Sequence, residues 1–175
     1  FRPETEFTPH RPTRFGTPTP DIGAWRGSFI MEAVTNKWST PAQITWADII
    51  EKFNEESHNY PQHVFSNYND PFSSWVLTTA ALPPTLKAAF DEVKKTDDIT
   101  VLHVYASLTA QSSTFGRHKD TMDVLLVQAI GETGYRFDDG RTINLKPNDG
   151  LIIKKGVHHE PIISEPRVTL SFSWE

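Results

Sequence analysis

His118 and Asp120 stand two positions apart in GRHKDTMDVLLVQ, immediately ahead of an apolar run. On extended backbone, side chains two residues apart leave the same face, so this imidazole and this carboxylate can reach one ion. A nitrogen and a carboxylate oxygen are suitable ligands for a divalent first-row metal. Downstream, GVHHE offers a second imidazole from His158 or His159. Two histidines and one carboxylate cover one face of a metal and leave its other positions open, the arrangement associated with non-haem Fe(II) chemistry. Only one of the two adjacent histidines can face inward if the segment is extended.

The 175-residue chain contains no cysteine. Disulfides, thiolate zinc sites, iron–sulfur clusters and cysteine nucleophiles are excluded together. Any metal must be held by histidine and carboxylate, which suits iron, manganese, nickel or zinc. A formal charge of −5 and a pI near 5.8 argue against general affinity for nucleic acid or an anionic membrane. No apolar run approaches a membrane span, and FRPETEFTPHRPTRFGTPTP lacks the apolar core of a signal peptide. The expected location is intracellular, in the cytoplasm.

The elements that must position these groups fall into three regions. Residues 1–24 are rich in proline and read as an extended arm, in which Phe1, Phe7 and Phe15 are candidate anchors. Residues 25–98 read as helical and strand support. Within them WRGSFIMEAV and WVLTTA are strands, and ITWADIIEKFNEES is a helix capped by Thr45, with Trp46, Ile49, Ile50 and Phe53 on its apolar face. A second helix starts near Thr85, with Leu86, Ala89, Phe90 and Val93 on one face, and the stretch 58–74 between them is polar and turn-rich. From residue 99 the period changes to that of strands. ITVLHVYASL, MDVLLVQAI, TGYRFDD, RTINL, GLIIKK, HEPIIS and RVTLSFSW alternate with turn chemistry such as DDGR and PNDG, which predicts a β-sandwich or barrel over 99–175 within a single domain.

The order of these pieces resembles the core of the cupin-like and JmjC-type Fe(II)/2-oxoglutarate-dependent oxygenases. That pattern runs from H-x-D through an apolar strand ending in Gln to a Gly turn and an aromatic strand. Here these are His118, Asp120, Asp123 to Gln128, Gly131 and Tyr135-Arg136-Phe137. Its second half, L-x-P-x-D, an apolar strand and G-x-x-H-E, is matched by Leu145, Pro147, Asp149, Leu151-Ile152-Ile153, Gly156 and His159-Glu160. The resemblance implies a mainly β (α+β) fold, a double-stranded β-helix (a cupin or jelly-roll barrel) with the N-terminal helices as support. It selects His159 over His158 and so implies His118, Asp120 and His159 as metal ligands, with Lys119 outside the barrel.

The implied cofactors are Fe(II) and the cosubstrate 2-oxoglutarate, with O2 as partner and a protein side chain or small molecule as prime substrate. The implied activity is a hydroxylase. In the JmjC-type branch the cation for the distal carboxylate sits in the strand after the Gly turn, where this chain has Thr133, which carries no charge. The last strand offers a replacement, because Arg167, Thr169, Ser171 and Ser173 form its polar face. Arg167-Val168-Thr169 resembles the R-x-S of prolyl-hydroxylase-like enzymes, which implies Arg167 and Thr169 as the oxoglutarate clamp, and Tyr105 resembles their cosubstrate-binding tyrosine. Two other readings stay open. One is a metal cupin that uses no oxoglutarate (an isomerase or another dioxygenase), and the other is a barrel that binds without turnover. Phosphate-binding loops, a dinucleotide fingerprint and a nucleophile elbow are all missing from the sequence.

Overall fold

The computed structural model describes residues 31–34, 44–66, 72–95 and 98–174. The Pro-rich arm expected at 1–24 and most of the WRGSFIMEAV strand lie outside these residues. Helix α1 (Trp46–Asn59) begins where the sequence placed it. The Thr45 hydroxyl accepts the Asp48 N–H at 3.2 Å, and the Asp48 carboxylate accepts the Thr45 N–H at 2.8 Å, a reciprocal cap on the first turn. Helix α2 (Pro84–Val93) starts one residue before Thr85, with proline at the first helical position, where its missing N–H costs no bond. No helix among the described residues is long and apolar enough to cross a membrane.

Ten strands are described. They are β1 (Met31–Val34), β2 (Val64–Ser66), β3 (Trp75–Leu77), β4 (Val101–Ser107), β5 (Val124–Ile130), β6 (Thr133–Phe137), β7 (Thr142–Leu145), β8 (Gly150–Ile153), β9 (His159–Ile163) and β10 (Arg167–Ser173). A large antiparallel sheet has the order β1-β8-β5-β10-β4-β3-β2, and a small one has the order β7-β6-β9. A single antiparallel bridge between His118 and His159 extends the small sheet beyond β9. From β4 onward the chain passes to His118 in the small sheet and returns to β5 in the large one. It then crosses to β6 and β7, back to β8, across to β9, and ends in β10. This alternation is the jelly-roll path of a double-stranded β-helix, as the sequence predicted.

Burial explains the strand sequences. Leu125 and Val127 of β5, with Leu102, Val104, Val168, Leu170 and Phe172, join Ile49, Leu86 and Phe90 of the helices in one apolar cluster outside the large sheet. Val124 and Leu126 point the other way, into the barrel, with Tyr135, Phe137, Leu145, Leu151 and Ile153. VLLV is therefore apolar without alternation because both of its faces are covered. In β10 the apolar face meets the helices and the face carrying Arg167, Thr169 and Ser171 turns inward. At Gly131 (φ +68°) a Cβ would overlap the Pro166 carbonyl, so only glycine fits between β5 and β6.

Two local expectations differ. Ile50 was placed on the buried face of α1 but is 56% exposed, whereas Glu56 of the same helix is buried against Lys52 and His63. His63 is thus held by a carboxylate 2.8 Å away. The stretch 58–74, read as polar and turn-rich, contains strand β2, too short to show a period.

Candidate metal centre

His118 and His159 are directly opposed in their bridge, each backbone N–H donating to the other's carbonyl at 2.9 Å. Directly paired residues project to the same side of a sheet, so both rings enter the barrel, with centroids 4.4 Å apart. Asp120, two residues beyond His118, brings Oδ1 to 3.7 Å from the His118 Nε2 and Oδ2 to 3.6 Å from the His159 Nε2. One ligand atom from each of the three lies within 4.8 Å of the others. These separations are too long for hydrogen bonds but short enough for one ion to touch all three.

The donor set fits a cation on a second count. The His118 Nδ1 lies 2.8 Å from the Gly116 carbonyl, and the His159 Nδ1 3.1 Å from the Val157 carbonyl. A carbonyl only accepts, so each Nδ1 carries the proton and each Nε2 lone pair is turned toward Asp120. The same local device, a ring N–H returning to the carbonyl two residues back, fixes both rings. His159 is 3% exposed, and burial holds its pKa below the ordinary value, which keeps the ring neutral and ready to ligate.

A pH dependence follows. Burial also lowers the pKa of His103 on the inner face of β4. An unfolded histidine takes up a proton near 6.5, whereas these two in the fold resist it to lower pH. Below that point the unfolded chain binds more protons than the folded one, so stability falls as pH falls. The thermal midpoint of the metal-free protein is expected to hold from pH 8 to 7 and to decline between pH 6.5 and 5. Calorimetry in chelator-treated buffer checks this, and a flat midpoint over the lower range contradicts it.

His158 turns away from the triad, with its Nδ1 3.7 Å from Asp138, an ion-pair distance rather than a hydrogen bond. Asp138 also accepts the Arg117 Nε–H at 2.8 Å, so the residues next to both candidate ligands meet the same carboxylate outside the barrel. Lys119 is exposed, as its position between His118 and Asp120 requires. Asp138 and Asp139 form the β6–β7 hairpin turn, where Asp139 accepts the Arg141 N–H at 2.9 Å.

The triad opens into a cavity also lined by Arg167, Tyr105, Tyr135, Phe115 and Leu126. Arg167 is 3% exposed and has no carboxylate partner among the described residues. Its Nε–H donates to the Ser107 hydroxyl at 3.0 Å, in register across the β4–β10 pair, and its guanidinium carbon lies 5.8 Å from the Tyr105 ring centroid. The Ser107 hydroxyl lies 2.8 Å from that of Ser74, which donates to the Ser113 carbonyl at 2.7 Å. With Nε occupied, the two terminal nitrogens remain to meet a ligand. Burial pushes the Arg167 pKa down, opposed by the facing Tyr135 and Tyr105, yet a guanidinium stays a cation. Burial, with Asp120 nearby, pushes the Tyr105 pKa up to about 12, and burial raises that of Tyr135 too, so both phenols keep their protons.

Two further residues singled out in the sequence take definite places. Thr169 faces inward and is fully buried, and its hydroxyl donates to the Gln128 Oε1 at 2.8 Å and stands beside the Tyr135 phenol. Thr133 is 1% exposed, and its hydroxyl has no hydrogen-bond partner among the described residues. The sequence reading missed Tyr135, Ser107 and Ser74 as site residues. Strand alternation from Tyr105 pointed to Ser107 and the aromatic strand to Tyr135, but nothing marked Ser74.

No protein-family model and no curated protein matches the sequence. Among solved structures, the chain is similar to the Escherichia coli ribosomal oxygenase YcfD, with TM-score 0.63 and 17% identity over 83% of this chain and 48% of that one. A structure of YcfD in complex with cobalt and 2-oxoglutarate matches with TM-score 0.63 and 16% identity over the same shares. Its complex with cobalt and succinic acid matches with TM-score 0.64. The chain spans about half the length of that oxygenase. The likeness shows a shared fold: this chain is a double-stranded β-helix of the kind found in the ribosomal oxygenase YcfD.

Proposed function

We propose that this chain is an Fe(II)- and 2-oxoglutarate-dependent oxygenase that hydroxylates a C–H bond of a protein side chain or small molecule. The observation that carries the reading is Arg167, a buried guanidinium in the same cavity as the triad, without a carboxylate partner among the described residues. A divalent ion held by one carboxylate and two neutral imidazoles keeps one positive charge, and Arg167 adds another. Uncompensated charge in a low-dielectric cavity is costly, so the site calls for a dianion. 2-Oxoglutarate is a dianion with a chelating end for the metal and a distal carboxylate for the Arg167 fork. That YcfD, of the same fold, was solved with cobalt and 2-oxoglutarate supports this assignment.

In this reading His118, Asp120 and His159 hold the iron, and Arg167 holds the distal carboxylate, oriented from behind by Ser107 and Ser74. Tyr105 and Tyr135 wall the cavity as neutral phenols, able to donate a hydrogen bond to an oxo-acid. Thr169 supports Tyr135 and Gln128 instead of touching the cosubstrate. When bound, iron with dioxygen and 2-oxoglutarate supplies the oxidation that couples loss of carbon dioxide from the oxo-acid to hydroxylation. A metal cupin that uses no oxo-acid leaves the buried cation unexplained.

The test is anaerobic titration of the metal-free protein with Fe(II) and then 2-oxoglutarate, recorded in the visible region. A weak charge-transfer band that needs both additions is the expected result. Iron binding without the band would leave the metal centre and remove the oxoglutarate reading.

A further inference from the structure

The two halves of the candidate metal centre come from segments far apart in sequence, and the chain reaches His159 through the turn that joins β8 to β9. This turn is tied at three points to the segment that carries His118 and Asp120. The Gly156 N–H donates to the Asp120 carbonyl at 3.0 Å. The Lys155 N–H donates to the Asp123 Oδ1 at 2.8 Å, and the Lys154 ammonium lies 2.7 Å from the Asp123 Oδ2. The turn closes on itself through the Val157 N–H to the Lys154 carbonyl at 3.1 Å, with Gly156 at φ +82°. The Val157 carbonyl then receives the His159 ring. A continuous path therefore leads from the Asp123 carboxylate, through one turn, to the Val157 carbonyl that orients His159.

We propose that Asp123 is a positioning residue for the metal centre, a latch whose carboxylate sets the His159 turn against the His118–Asp120 segment. The proposal rests on the triad being a metal site, and it adds a group that touches neither metal nor cosubstrate. Ligands must be held to within about half an ångström for full affinity, and the partners that orient them are part of that affinity. The bridge between His118 and His159 fixes their backbones, but the ring of His159 takes its direction from Val157. Without the latch the turn has more conformations to lose when the ion binds. Most of the effect belongs to the Lys155 N–H bond, because the Lys154 pair is partly exposed and screened.

The test is titration of the metal-free full chain with Co(II), read from its visible d–d bands, together with amide hydrogen exchange of the metal-free protein. Asp123→Ala is expected to weaken Co(II) by about tenfold or more and to speed exchange at Lys155 and Gly156. Asp123→Asn keeps an acceptor for Lys155 and is expected to lose about half of that effect on a logarithmic scale. It also carries the test if the alanine variant does not fold. Lys154→Met is expected to stay within about threefold of the parent. Leu86→Ala, in the outer core far from the turn, is the stability control. If it weakens Co(II) as much as Asp123→Ala does, or if Asp123→Ala changes neither affinity nor exchange, the latch is overturned. Failure of the parent protein to bind Co(II) instead overturns the metal reading, and the exchange rates at Lys155 and Gly156 then judge the latch alone.

Discussion

His159→Ala abolishes Co(II) binding, weakening it by more than about a hundredfold, while His158→Ala stays within about threefold; this is the expected outcome of the sharpest substitution pair in the chain. The two residues are neighbours of identical type, so composition, local charge and turn propensity are controlled by the comparison itself. What differs is direction. His159 is buried, its Nδ1 is held by the Val157 carbonyl, and its Nε2 faces Asp120 at 3.6 Å. His158 points outside, toward Asp138. Loss of a ligand removes a metal bond outright, whereas loss of an outer partner commonly costs only about ten- to a hundredfold. His118→Ala should match His159→Ala, since the two rings are equivalent in the bridge. Titration followed by the visible spectrum decides the matter. Equal losses from both single variants at 158 and 159 would mean that the turn, not the ring, carries the effect.

That pair also marks how far the sequence could be read. The spacing of His118 and Asp120 is local, and local geometry alone puts both on one face. The choice of His159 needed the position of Gly156 three residues before it. The strand that carries His118 was not visible, because it consists of one bridge in a polar segment with no period to detect. Thr45 announced the start of α1 because a capping box is a four-residue signal. Ile50 was misplaced because helical spacing selects a face without saying where the partner sheet ends. It stands beside Trp75 and Leu108 at the edge of that contact, and both of these are exposed as well. Thr169 shows the same limit inside the barrel. Alternation put it on the inner face, but only the pairing of β10 with β5 shows that Gln128 stands opposite and takes its hydroxyl. The Ser107 partner of Arg167 depends likewise on a register between strands remote in sequence.

Arg167→Ala is expected to lower 2-oxoglutarate affinity by about a hundredfold or more, with Co(II) affinity unchanged. Each charge-assisted hydrogen bond is worth roughly 1.5–3 kcal/mol, and the fork can make two. Arg167→Lys keeps the charge but not the fork and should fall between, and Ser107→Ala, which keeps the cation and removes only its support, should cost less than either. The more demanding variant restores a cation from the opposite sheet. The Glu132 N–H donates to the Glu165 carboxylate at 2.7 Å, and Thr133 pairs with Ile163, which sets the start of β6 beside the start of β10. Thr133 is buried there with a hydroxyl that finds no partner among the described residues, at the position where JmjC-type enzymes keep their cation. Removing the Arg167 side chain clears space at that end of the barrel. The double variant Arg167→Ala/Thr133→Lys should therefore recover at least about tenfold of the lost oxoglutarate affinity, as one new charged bond would provide. Isothermal titration of the Co(II)-loaded protein measures all five forms. Recovery would mean that this barrel and the JmjC type solve one charge problem from two strands. Undiminished binding in Arg167→Ala would place the distal carboxylate elsewhere in the barrel and remove Arg167 from the cosubstrate site.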